Sequence, residues 1–188
     1  MAKLLDGSDL ARAAKQLRCD RAALEAVAEV EAAGSGFLPD GRVKVLFEGH
    51  WFHRYTAGRF DASYPALSFA KWTRAHYADG AGEWQRLSCA MKLDRRAALL
   101  SASYGRFQVM GFNFAICGYR TVEGFYAAMR RSEGAHLDAF CAYVERNGLA
   151  DELREHRWAD FARRYNGPEY RRNDYDGRLA RAYAKHSA

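Results

Sequence analysis

Proline, cysteine and long apolar runs are scarce in this chain. Its 188 residues hold three prolines, at 39, 65 and 168, and few β-branched residues. Alanine, arginine and leucine dominate instead, a composition that favours helix over strand. The four cysteines, at 19, 89, 117 and 141, form no C-x-x-C pair. A cysteine-built zinc site is thereby excluded, and the expectation is free, reduced and buried thiols. No stretch approaches the roughly 20 apolar residues of a membrane span. The first residues, M-A-K-L-L-D-G-S-D-L-A-R, contain no apolar core of a secretory signal. The expectation is a protein made in the cytoplasm that acts beyond it only when something else releases it.

Apolar residues are nonetheless plentiful, 49% of the chain with 14% aromatic, which marks a globular protein and not a disordered one. Repeats and low-complexity linkers are lacking, so residues 1–188 read as one domain. The net charge is +6 and the isoelectric point near 9.2. The excess falls late, at Arg154, Arg157, Arg163, Arg164, Arg171, Arg172, Arg178, Arg181 and Lys185. A basic end points to an anionic partner, whether nucleic acid, an acidic membrane surface or a wall polymer. It fits a solvated basic face with no partner equally well. Helix-turn-helix, zinc-finger and RNA-binding signatures are all missing, so nucleic acid is not the expected ligand.

Local patterns predict a mostly α domain with at most a small β-hairpin. A first helix is expected over Asp9 to Arg18, and a second from the N-cap Asp20 to about Ala33. Val43 to Thr56 begins with the alternation of a strand and continues in a pattern open to a short helix. Residues 57 to 82 read as an irregular excursion with a short helix near Ser68 to Tyr77. One helix is expected from Glu83 to about Leu100, and a loop over S-A-S-Y-G-R-F-Q-V-M-G. Further helices follow over Thr121 onward, Gly134 to Arg146, Trp158 to Tyr165 and Asp174 to Lys185.

Four places carry chemistry. In the predicted second helix, Leu24, Val27, Ala28 and Glu31 fall at i, i+3, i+4 and i+7, on one face at about 100° per residue. Glu31 therefore lies on the apolar stripe, at the helix end before Gly34-Ser35-Gly36, while Glu25 and Glu29 project elsewhere. Periodicity leaves two readings open: a partly desolvated carboxyl that keeps its proton, as a general acid must, or a helix-end glutamate that bends out to water. Glu48 lies in the cluster L-F-E-G-H-W-F-H, either as a second functional carboxylate or as the exposed residue of an alternating strand. His50 and His53 with Glu48 match no strong zinc spacing, so no metal is expected. They read as structural residues or as groove residues. The segment from Ser101 to Gly111 offers Gln108, a donor and an acceptor for a sugar hydroxyl or amide, and the flat rings of Tyr104 and Phe107. Finally R-R-Y-N-G-P-E-Y contains Tyr165-Asn166 ahead of a helix-stopping Gly-Pro.

The order of these segments resembles the lysozyme-like superfamily of goose-type lysozymes and lytic transglycosylases. The runs V-E-x-x-G-S-G-F-L-P-D-G-R, L-F-E-x-H-x-F and G-R-F-Q-V-M-G-F-N are more closely similar to the N-acetylmuramidase family of phage endolysins, first catalogued as a domain of unknown function. The resemblance spans about residues 20 to 185. It implies a lysozyme-like helical fold, catalysis by Glu31 with Glu48, and a glycan groove lined by His50, Tyr104, Gln108, Tyr165 and Asn166. It further implies a monomeric, cofactor-free enzyme without a separate wall-binding domain. Such an enzyme cuts the β-1,4 bond between N-acetylmuramic acid and N-acetylglucosamine, in the periplasm after release. A lytic transglycosylase giving 1,6-anhydro products is the nearest alternative, and a non-catalytic basic binding module the next. Two positions depart from the pattern: Ala32 stands where the family favours serine, and Tyr104 where it favours tryptophan. The basic last helix also raises the expectation of contact with an anionic outer-membrane surface.

Overall fold

The computed structural model describes residues 3–31 and 34–188, with the side chains of Pro168 and Glu169 outside the description. Helix α1 (Gly7–Leu17) opens on Asp6, whose carboxylate accepts from the backbone N–H of Ser8 and Asp9. Asp9 returns a bond to the Asp6 N–H, so free donors of the helix start are satisfied reciprocally. Helix α2 (Arg21–Glu31) begins behind Asp20, whose carboxylate accepts from the Ala23 N–H at 2.8 Å. Leu24, Val27 and Ala28 are buried, as the stripe predicts. The predicted extension over Ala32 and Ala33 lies outside the described residues.

Val43 to Thr56 divides into strand β1 (Val45–Phe47) and helix α3 (Gly49–Thr56). The excursion that follows contains no helix near Ser68 to Tyr77. It is held by side chains instead: Asp61 accepts from Ser68 Oγ at 2.5 Å and pairs with His53 Nδ1 at 2.7 Å. The helix expected from Glu83 to Leu100 is two helices, α4 (Ala81–Leu93) and α5 (Arg95–Leu100). Asp94 separates them in an extended conformation and caps the second by accepting from the Ala97 N–H at 2.9 Å. An Asp that can cap offers the chain a local alternative to continuing the helix.

The segment read as a loop is a hairpin, β2 (Ala102–Tyr104) and β3 (Val109–Met110). It joins β1 in a three-stranded antiparallel sheet of order β1-β2-β3, with Val45 opposite Tyr104 and Ser103 opposite Met110. The mostly α architecture stands, with one strand more than a hairpin. Five helices complete it: α6 (Val122–Met129), α7 (Glu133–Arg146), α8 (Ala150–Arg154), α9 (Trp158–Asn166) and α10 (Tyr175–His186). Leu24, Phe47, Phe52, Leu99, Phe125, Phe140 and Phe161 lie in one buried apolar cluster that spans helices and sheet. The four cysteines are unpaired; Cys117 and Cys141 are buried as expected, whereas Cys89 is exposed. Among the described residues no helix is long and apolar enough to cross a membrane.

Candidate active site

Glu31 ends α2 where two cavities meet. One, of about 430 Å³, is lined also by Gln108, Met110, Phe112, Asn113, Tyr143, Tyr165, Asn166 and Tyr175. The other, of about 380 Å³, is bounded by Ser35, Lys44, Leu46, Asp79, Arg106 and again Gln108. A groove thus runs past the carboxyl on both sides. Asn166 Nδ2 donates to Glu31 Oε1 at 3.0 Å. Burial pushes the Glu31 carboxyl above the ordinary carboxylate range, while the Asn166 bond and the Arg178 charge pull it partly back. Arg178 reaches this place by donating to the Val30 carbonyl at 3.0 Å, at the electronegative end of α2.

Gln108 sits in the turn between β2 and β3 with φ 48°, a left-handed conformation. Its Oε1 accepts from Ser103 Oγ at 2.7 Å and its Nε2 donates to the Gly105 carbonyl at 2.8 Å, so the amide is held while the side chain stays exposed. The Tyr165 hydroxyl donates to the Phe107 carbonyl at 2.9 Å, tying α9 to the same turn. Four of the predicted residues, Glu31, Gln108, Tyr165 and Asn166, therefore converge.

Tyr104 does not join them. It is fully buried, its ring against Phe125 and Tyr126 and its hydroxyl donating to the Leu99 carbonyl at 3.0 Å. Both faces of β2 are covered, so the alternation that would expose one ring face is lost. Phe107 is likewise buried, stacked on Phe140 with ring centroids 4.7 Å apart. The open flat faces come instead from half-buried Phe112, Tyr143 and Tyr175. Tyr143 and Tyr175 stand on helices far along the chain, where no local pattern marks them. Phe112 and Asn113 end the run G-R-F-Q-V-M-G-F-N, whose motif marks them.

Glu48 and His50 line neither cavity at Glu31. Glu48 begins α3; its oxygens accept from the Tyr77 hydroxyl, 2.7 and 2.8 Å away, and His50 Nδ1 stands 3.3 Å from Oε2. The exposed carboxylate that shares a cavity with Glu31 belongs to Asp79. Among the described residues no group of three potential ligands stands ready for a metal.

A buried network holds the loop after α2. Glu133 accepts from the Ser35 hydroxyl at 2.9 Å, the Gly36 N–H at 2.5 Å and the Leu5 N–H at 3.0 Å, and pairs with Arg106 at 3.2 Å. Burial alone would raise the Glu133 carboxyl; these donors and the Arg106 charge outweigh it and lower the pKa. His136 packs on both glycine-bearing turns. A Cβ on Gly36 would stand 2.7 Å from its ring, and one on Gly105 would stand 2.6 Å away. Its Nδ1 accepts from the Arg106 N–H at 3.1 Å and its Nε2 donates to the Met129 carbonyl at 2.6 Å, which fixes a neutral tautomer. The ends of α2 and of the β2–β3 hairpin are thus clamped together.

The basic last helix is docked. Leu179 and Ala182 are buried, Tyr183 packs on Trp158 at 5.3 Å, and Lys185 pairs with Glu29 at 2.9 Å. Arg181 pairs with Asp174 at 2.6 Å.

The sequence model described as N-acetylmuramidase matches residues 20–187. Among solved structures, the crystal structure of a Burkholderia AP3 phage endolysin superposes with a TM-score of 0.93 at 42% identity, covering 98% of this chain and 72% of that one. A search of curated proteins finds no match.

Proposed function

The chain belongs to the N-acetylmuramidase family, and on that footing we propose that it cleaves the β-1,4 bond between N-acetylmuramic acid and N-acetylglucosamine in peptidoglycan, with Glu31 as general acid. One observation carries the assignment: Glu31 holds a half-buried carboxyl at the junction of two cavities, with Asn166 orienting one oxygen. A glycan strand laid along the groove brings a glycosidic oxygen to that junction. The protonated Glu31 gives its proton to the leaving oxygen as the anomeric carbon gains oxocarbenium character. Gln108 and Asn113 offer amides to acetamido and hydroxyl groups, and Phe112, Tyr143 and Tyr175 offer ring faces. Replacing Glu31 by Gln removes the transferable proton and is expected to lower peptidoglycan clearing by at least about 100-fold. Clearing at the native rate would sink the assignment.

The second step has two forms. In hydrolysis a carboxylate activates water, and Glu48, the partner implied by the resemblance, takes that role. In the other, the substrate's own 6-hydroxyl attacks and leaves a 1,6-anhydro sugar. The Tyr77 hydroxyl bonded to Glu48, and the absence of Glu48 from both cavity walls, support the second form as the alternative. Mass spectrometry of the products separates them, because the anhydro product is one water lighter. For the basic C-terminal helix, contact with an anionic outer membrane remains a secondary proposal; its apolar face is already spent on the fold.

A further inference from the structure

A third cavity, of about 490 Å³, has a different character from the groove. It is lined by His50, Trp51, His53, Arg54, Ala57 and Ala70. Among the described residues, the larger cavity at Glu31 is lined, apart from that acid, by neutral side chains. The two adjoin through one aromatic pair: Trp51 in the wall of the third packs on Phe112 in the wall of the first, centroids 4.7 Å apart.

The third cavity presents the Arg54 guanidinium and two imidazoles. The exposed Arg54 guanidinium lies over the Trp51 ring, 5.1 Å from its centroid, and its N–H groups meet no acceptor among the described residues. His53 spends Nδ1 on Asp61 at 2.7 Å, which leaves Nε2 for a ligand. Two carboxylates stand behind the imidazoles: Asp61 also accepts from the Ser68 hydroxyl at 2.5 Å, and Glu48, 3.3 Å from His50 Nδ1, accepts from Tyr77 at 2.7 Å, so the guanidinium is left as the group free to meet an anion. A planar guanidinium backed by an indole, with an imidazole beside it, suits a carboxylate on a peptide-like chain.

We propose that this basin binds a carboxylate of the peptide stem borne by the muramic acid residue of a strand lying in the Glu31 groove. The inference rests on the muramidase reading, since that substrate carries an anionic branch beside the bond to be cut. Neutral glycan contacts then stay in the groove, and the branch leaves it over the Trp51–Phe112 pair. Stem-bearing strands become better substrates than bare ones.

The test uses glycan strands in three forms: with intact stems, with stem carboxylates amidated, and with stems removed by an amidase. The full chain should show a kcat/KM about three- to tenfold higher on intact stems than on the other two, the size of one charge-assisted contact at a partly exposed site. Arg54→Ala and Arg54→Gln should lower the intact-stem value to that of amidated strands and leave bare strands unchanged. Equal rates of the unaltered protein on all three forms would overturn the proposal. So would an Arg54 variant that loses the same factor on bare strands. Cleavage of bare strands that vanishes in Glu31→Gln upholds the muramidase reading even then. Cleavage that persists in Glu31→Gln overturns that reading instead.

Discussion

Opposing influences act on the Glu31 carboxyl, and their balance decides when it can donate a proton. Burial favours the protonated form; Asn166 and Arg178 favour the anion. Because the folded pKa lies above that of the unfolded chain, the stabilising share of this group is fully present below the unfolded value. It is lost as pH rises through the folded one. The acid function is lost over the same interval. Removing one stabiliser of the anion must therefore move the alkaline limb of activity upward. Arg178→Gln keeps a donor for the Val30 carbonyl and removes the charge, while Asn166 and Tyr165 of α9 and Tyr175 of α10 stay in place. A pH–rate profile of a folded Arg178→Gln protein should show that upward shift; an unmoved limb would contradict it. Residues differed in how openly they declared themselves. Periodicity put Glu31 on the apolar stripe but left its burial open; the order of the later motifs singled it out. Tyr104 misled, because its strand is covered on both faces and its ring belongs to the core. Asp79, which shares the smaller cavity with Glu31, carries no local mark at all.

Elements meet at the site through polar joints. Glu133 at the start of α7 clamps the loop after α2, and Arg106 of the hairpin turn completes the joint. Its folded pKa is depressed, so its stabilising share is present above the unfolded carboxylate value and fades as pH falls through the folded one. Glu133→Gln is expected to cost about 2–3 kcal/mol near neutral pH, since Arg106 then loses its partner in a largely dry place. Urea unfolding at neutral and acid pH should show the gap between variant and native protein closing as the medium is acidified. Helix α10 is a second joint. It packs along α2 and against α9, supplies Arg178 to the end of α2, and brings Tyr175 to the groove. Deleting residues 174–188 should therefore depress both thermal stability and the cleavage of isolated peptidoglycan. A helix that acted only on an outer membrane would leave isolated peptidoglycan cleavage intact. The break at Asp94 shows why boundaries were hard to read: apolar spacing continues through Glu83 to Leu100, and only the cap distinguishes two helices from one.

Across the whole molecule, the net charge of +6 meets an anionic wall polymer in the proposed reaction. Raising ionic strength from about 0.01 M to about 0.15 M shortens electrostatic reach from roughly 30 Å to roughly 8 Å. KM for peptidoglycan should rise over that interval with kcat nearly constant, measured on soluble strands; a fall confined to kcat would place the charge at the chemical step instead. At this scale, composition and periodicity were enough for helix content, for the stripe bearing Glu31 and for the helix stops at Gly34-Ser35-Gly36 and Asn166-Gly167. These follow from short-range backbone preference and from which face of a helix must leave water. Only the tertiary structure decided that Asn166 reaches Glu31 across 135 positions, that Tyr143 and Tyr175 face the groove, and that Glu48 turns to Tyr77. Those outcomes depend on how whole helices pack, and packing is settled by the summed burial of many side chains, which no local spacing records.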